Sequence, residues 1–143
     1  MGRAFATVLV SIALSSVAMN RVQQEYYESG PFKGFAVGES SGEAMEIAQP
    51  FRVGAIKGRV TYFSTVPGGT PLSGALVQIR DDEGHVFSTT SDDSGIFEIL
   101  KVSPGNYSLM ATKHGFHMAL AKVVLSKRFG RKNRIDIQMK IGT

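Results

Sequence analysis

No cysteine and no tryptophan occur among the 143 residues of this chain. Without thiols there is no disulfide framework, no thiolate zinc site, no cysteine nucleophile and no lipid-bearing N-terminal cysteine. Their absence also suits an oxidising compartment, where a free thiol would mispair. Without tryptophan, a sugar-stacking platform would rest on tyrosine and phenylalanine alone. Acidic residues number 12 against 16 basic ones, a formal charge of +4. So small an excess does not point to nucleic acid, and no such partner is expected. Long apolar runs are missing too: the longest, over 4–17, falls short of the roughly 20 residues a membrane helix needs. No glycine-rich phosphate loop is present and no serine nucleophile elbow is read.

What is present falls into three zones. Residues 1–18 read as a secretory signal peptide: Arg3 supplies the positive start, 4–17 the apolar run, and Ser16-Val17-Ala18 a small-x-small cleavage site. The alternative is a retained N-terminal segment that packs against neighbouring subunits. Cleavage would leave no stable membrane span and implies a periplasmic, cell-surface or extracellular location. Residues 19–54 are polar and without sustained period, and read as a linker or extension. A short helix over 21–28 and a single turn over 44–48 are the local expectations. Four aromatics stand out in so polar a stretch. Tyr26, Tyr27, Phe32 and Phe35 are therefore candidates for docking a partner.

From residue 55 the apolar period becomes two. Strands are expected over 55–63, 75–80, 85–91, 96–102, 107–113, 118–125 and 135–141. The last is the clearest, with Ile135, Ile137, Met139 and Ile141 in strict alternation. Two polar corners, Ser91-Asp92-Asp93-Ser94-Gly95-Ile96-Phe97 and Val102-Ser103-Pro104-Gly105-Asn106-Tyr107, each deliver an aromatic onto the buried face. Gly95 and Gly105 supply backbone freedom and Pro104 a preset φ. Phe97 and Tyr107 fix register, because a slip of one residue would turn them to solvent. Asp92 is expected to bond the backbone of its own turn. Short strands with no helix between them imply an all-β, seven-stranded antiparallel Greek-key sandwich over 55–143.

The pieces Gly58-x-Val60, Pro71-Leu72-x-Gly74-Ala75-x-Val77-x-Ile79, Ser91-Asp92-x-x-Gly95-x-Phe97, Pro104-Gly105-x-Tyr107-x-Leu109 and Gly115-Phe116 follow one another in order. As a set they resemble the carboxypeptidase regulatory-like domain, a prealbumin-type (transthyretin-like) sandwich. Ser91 stands where a threonine is usual. The resemblance implies a non-catalytic accessory module of a secreted or surface protein. The transthyretin-like hydroxyisourate hydrolase is set aside, because this chain ends Lys140-Ile141-Gly142-Thr143 and lacks the C-terminal Tyr-Arg-Gly-Ser. Related surface domains form Lys–Asn isopeptide links, of which Lys57 and Asn133 are a faint echo.

Other chemistry is thin. His114 and His117 straddle a bend, and with His85 they read as surface histidines, so no metal and no cofactor are expected. The acids Asp81, Asp82, Glu83, Asp92 and Asp93 would suit Ca²⁺ only if the fold joined both groups. Lys127, Arg128, Arg131, Lys132 and Arg134 make a basic loop around Phe129. That loop fits an acidic protein, an anionic glycan or lipid head groups. The reading is thus a non-enzymatic module that binds a protein or itself. The alternative is a structural subunit of an extracellular assembly, with its N-terminal segment packed on a neighbouring copy.

Overall fold

A computed structural model describes residues 27–28, 30–41 and 43–142. The leader 1–18 and Tyr26 lie outside the described residues. Among these residues ten strands run in order: β1 (Met45–Glu46), β2 (Phe51–Val53), β3 (Ile56–Tyr62), β4 (Thr70–Pro71), β5 (Leu76–Asp81), β6 (Val86–Thr90), β7 (Ile96–Ile99), β8 (Gly105–Thr112), β9 (Ala119–Leu125) and β10 (Ile135–Met139). One sheet is ordered β1-β9-β8-β5-β6, with β2 further along β9; the other is β10-β3-β4, with β7 also on β3. Alternation puts Val60, Val77, Ile79, Phe97, Leu109 and Ile137 between the sheets, all buried. Burying these side chains removes apolar surface from water, the main force holding the layers together.

The sandwich is all-β as expected, but its sheets are mixed rather than purely antiparallel. β2 runs parallel to β9, and β3 parallel to β10. The reason is a pair of stacked arches. Both β2 and β9 leave the first sheet at one end, and the chain crosses to enter the second sheet as β3 and β10. Ser126 N–H bonds Val53 O and Gly54 N–H bonds Gly130 O, joining one arch to the other. Parallel neighbours here need no crossover helix, because the strands that pair are separated by most of the domain.

Residues 27–53 are not a free spacer. β1 and β2 cap the β9 edge, so the turn expected over 44–48 is a strand instead. Ahead of them, the chain crosses the outer face of the first sheet. Tyr27 and Phe35 are buried there with Met110, Met118 and Leu120 in a second apolar cluster, against which Phe32 packs. Tyr27 and Phe35 thus cover their own sheet, while Phe32 is half-buried, its ring centroid 5.8 Å from that of Phe35. Buried Gln78 fastens the segment, accepting from Ala36 N–H at 2.7 Å and donating to Ala36 O at 2.9 Å. Ile141, expected in the core, is 56% exposed and makes only a bridge to Phe116, because β10 stops at Met139.

Candidate functional site

The two polar corners lie at opposite ends of the sandwich. Asp92 Oδ1 accepts from the N–H groups of Ser94 and Ile96, both at 2.9 Å, which closes the first corner. Gly95 has φ +79°, and a Cβ there would stand 2.3 Å from Val60 O, so only glycine fits. Phe97, delivered by this corner, is 2% exposed. Ser91 Oγ links the same end, accepting from Ala75 N–H and donating to Leu72 O. Asp92 and Asp93 are thus a full β5 length from Asp81, since Thr90 pairs with Leu76 and Asp81 with Tyr107. The two acid groups do not join, and the shared Ca²⁺ site falls away.

The other end carries more chemistry. Pro104 and Gly105 open β8, Tyr107 is buried behind them, and its hydroxyl donates to Ser103 O, which pins the corner. Across β5 the turn 82–85 brings Asp81, Glu83 and His85 together. Asp81 Oδ1 accepts from the N–H of Glu83 at 3.0 Å and of His85 at 2.8 Å. Its Oδ2 meets His85 Nδ1 at 2.9 Å, and Glu83 Oε2 lies 3.7 Å from the same nitrogen. Between turn and corner opens a cleft of about 560 Å³, lined by these three residues with Phe87, Lys101, Asn106 and Tyr107 among others. Lys101, on its rim, holds φ +60°, the one non-glycine positive value among the described residues. It also lines a second cleft of about 180 Å³, to whose wall Arg131 contributes.

Electrostatics at the cleft follow from these contacts. Partial desolvation alone would raise the Asp81 carboxyl, but the His85 N–H, the His85 ring and the Glu83 N–H outweigh it and hold the carboxyl below its usual value. The hydrogen bond to Asp81, then its charge, pushes the His85 imidazole up. Burial, aided by the Asp81 charge, pushes the Tyr107 phenol up.

The basic turn sits at this same end. Lys127–Phe129 form a short 3-10 turn, and Asn133 Nδ2 donates to Phe129 O and Arg52 O, tying the turn to β2. Those bonds occupy the Asn133 amide nitrogen. Phe129 is half-buried rather than an exposed tip, with the Arg128 guanidinium 5.0 Å over its ring. Lys127, Arg128, Arg131 and Lys132 are exposed.

His114 and His117 do not meet at a common site. His114 Nδ1 lies 3.2 Å from Glu39 Oε2, while the His117 ring contacts Glu43 O; both hold the N-terminal segment. The trio Asp81-x-Glu83-x-His85 escaped the sequence reading, although alternate positions across a tight turn could have revealed it. Residues 38–42 also spell G-x-S-x-G, which that reading passed over. Residues 35–41 lie outside any strand or helix, whereas the elbow requires a strand-to-helix turn. Among the described residues, no helix is long and apolar enough to cross a membrane.

No curated protein sequence matches this chain. Among solved structures, it is similar to the TIE protein of Bacillus anthracis (TM-score 0.47, 19% identity, 60% of this chain and 18% of that one). Another is a variant of BcpA, the major pilin subunit of Bacillus cereus (TM-score 0.44, 14% identity, 64% of this chain and 30% of that one). A third is 3-chlorocatechol 1,2-dioxygenase from Rhodococcus opacus 1CP (TM-score 0.40, 12% identity, 95% of this chain and 77% of that one). The chain thus spans less than a third of the length of the first two. The family model for the carboxypeptidase regulatory-like domain matches residues 55–140. With the corners, the register and the two-layer core in place, the chain belongs to the carboxypeptidase regulatory-like domain family.

Proposed function

We propose that this protein is a non-enzymatic accessory module of the secreted or cell-surface kind, and that it works by binding a protein partner. The observation carrying the reading is the asymmetry of the larger sheet. Its β9 edge is capped by β1 and β2 of the same chain, whereas among the described residues the sheet ends at β6. Ser91 N–H bonds Ala75 O, and Asp81 N–H bonds His85 O, so odd-numbered residues of β6 face β5 in the ladder. The backbone groups of Val86 and Ser88 then point off the sheet, a template for an added strand. The acidic cleft lies at the β5–β6 end and would favour a partner segment of complementary charge. The leader-like pattern of residues 1–18 supports export, and the family's regulatory-like character supports a role without catalysis. Because residues 27–53 pack on their own domain, the assembly in which they cover a neighbouring copy is not favoured.

Two measurements test the reading. N-terminal sequencing of fractionated producing cells is expected to find the chain outside the cytoplasm, beginning near Met19. A cytosolic chain that retains Met1 overturns the location. For binding, Ser88→Pro removes one outward N–H without touching the β5 ladder. Photo-cross-linking from β6 is expected to trap a protein partner that this variant loses; an unchanged cross-link overturns strand addition.

A further inference from the structure

We propose that Asp81, Glu83 and His85 bind a divalent transition-metal ion of the zinc, nickel or copper(II) kind. Their donor atoms all lie within 4.8 Å of one another. Ligands sharing one ion at bonds of about 2.1 Å stand roughly 3.0–3.5 Å apart, and the observed 2.9 and 3.7 Å bracket that spacing. The trio is already aimed. Two backbone N–H groups occupy Asp81 Oδ1 and leave Oδ2 facing the imidazole. The ion takes the place of the proton that Nδ1 and Oδ2 share, and that proton goes to solvent.

The donor set chooses the class of metal. One imidazole nitrogen with two carboxylate oxygens suits borderline ions, whereas Ca²⁺ asks for six to eight oxygens. Three neighbouring carboxylates, Asp81, Asp82 and Glu83, favour a dication over a monovalent one. The cleft of about 560 Å³ beside the trio leaves room for water or a partner's carboxylate in the remaining coordination positions. The cleft distinguishes this cluster from the pair His114 and Glu39, which offers two donors only.

The test is a ¹H–¹⁵N correlation titration of the full chain with zinc chloride, repeated with calcium chloride. Saturable one-to-one shifts centred on residues 81–85, and reaching 105–107 across the cleft, are expected with zinc and not with calcium. His85→Ala and, separately, Glu83→Gln are each expected to weaken zinc more than about tenfold, while His114→Ala leaves it unchanged. Both altered side chains of the trio are largely exposed, so the fold persists and the remaining spectrum verifies it. The proposal is overturned by shifts centred on His114 or His117, by an equal response to calcium, by no saturable response, or by binding that survives His85→Ala.

Discussion

At the scale of single residues, the pair His85 and Asp81 makes the sharpest statement about pH. His85 titrates above its ordinary 6.5 in the folded chain, so its contribution is complete below 6.5 and disappears as pH rises through the raised value. Asp81 titrates below its ordinary 3.8, so its contribution is present above 3.8 and disappears as pH falls through the lowered value. The ion pair therefore persists from somewhat below 3.8 to somewhat above 6.5. An NMR titration of the His85 ring in metal-free buffer is expected to show a midpoint above 6.5, and Asp81→Asn to bring it down. Exposure and salt screening keep such a pair from mattering much to stability. Core positions behave differently. Phe97 is 2% exposed at the centre of the slab, and Phe97→Ala is expected to cost about 3–5 kcal/mol in urea denaturation. Gly58 matters through contact rather than turn geometry: a Cβ would stand 1.8 Å from Ile135 O, forcing β10 away from β3. Gly58→Ala is therefore expected to destabilise by about 1–3 kcal/mol, read from the same denaturation curves.

At the scale of elements, the segment ahead of β3 is the finding that composition concealed. Its polarity argued for a linker, yet two of its aromatics, Tyr27 and Phe35, fill a patch that β8 and β9 expose on their outer face. The patch was visible in part. Met110, Met118 and Leu120 are apolar where a solvated sheet face would be polar, an excess that calls for a cover. What sequence could not supply was the identity of the cover, since nothing local pairs residue 36 with residue 78. Gln78 makes that pairing with its side chain, imitating one rung of a ladder. Gln78→Ala is expected to cost roughly 1 kcal/mol, because it removes both hydrogen bonds that hold the Ala36 backbone. Hydrogen exchange should localise the effect, with protection falling in residues 35–47 before it falls in β8.

Across the whole molecule, the family match starts at residue 55, but the folded unit takes in residues from 27 onward. Truncation to 55–143 is expected to keep the inner core while baring the β9 edge and the apolar patch. Such a chain should melt at lower temperature and associate in light scattering, where the full chain should not through these surfaces. Comparable melting and mass for the two chains would contradict an integral role for residues 27–53. The corners of Asp92 and Tyr107, the alternation that buries Val60, Ile79 and Ile137, and the two-layer class were determined by sequence alone. Turn chemistry and a period of two act within a few residues, so they are legible without a fold. Only tertiary structure decided that the sheets are mixed, that residues 27–53 lie on the domain, and that the acidic trio and basic turn share one end. Those outcomes depend on pairings between segments more than 40 residues apart, and chain order places no constraint on which distant edges will meet.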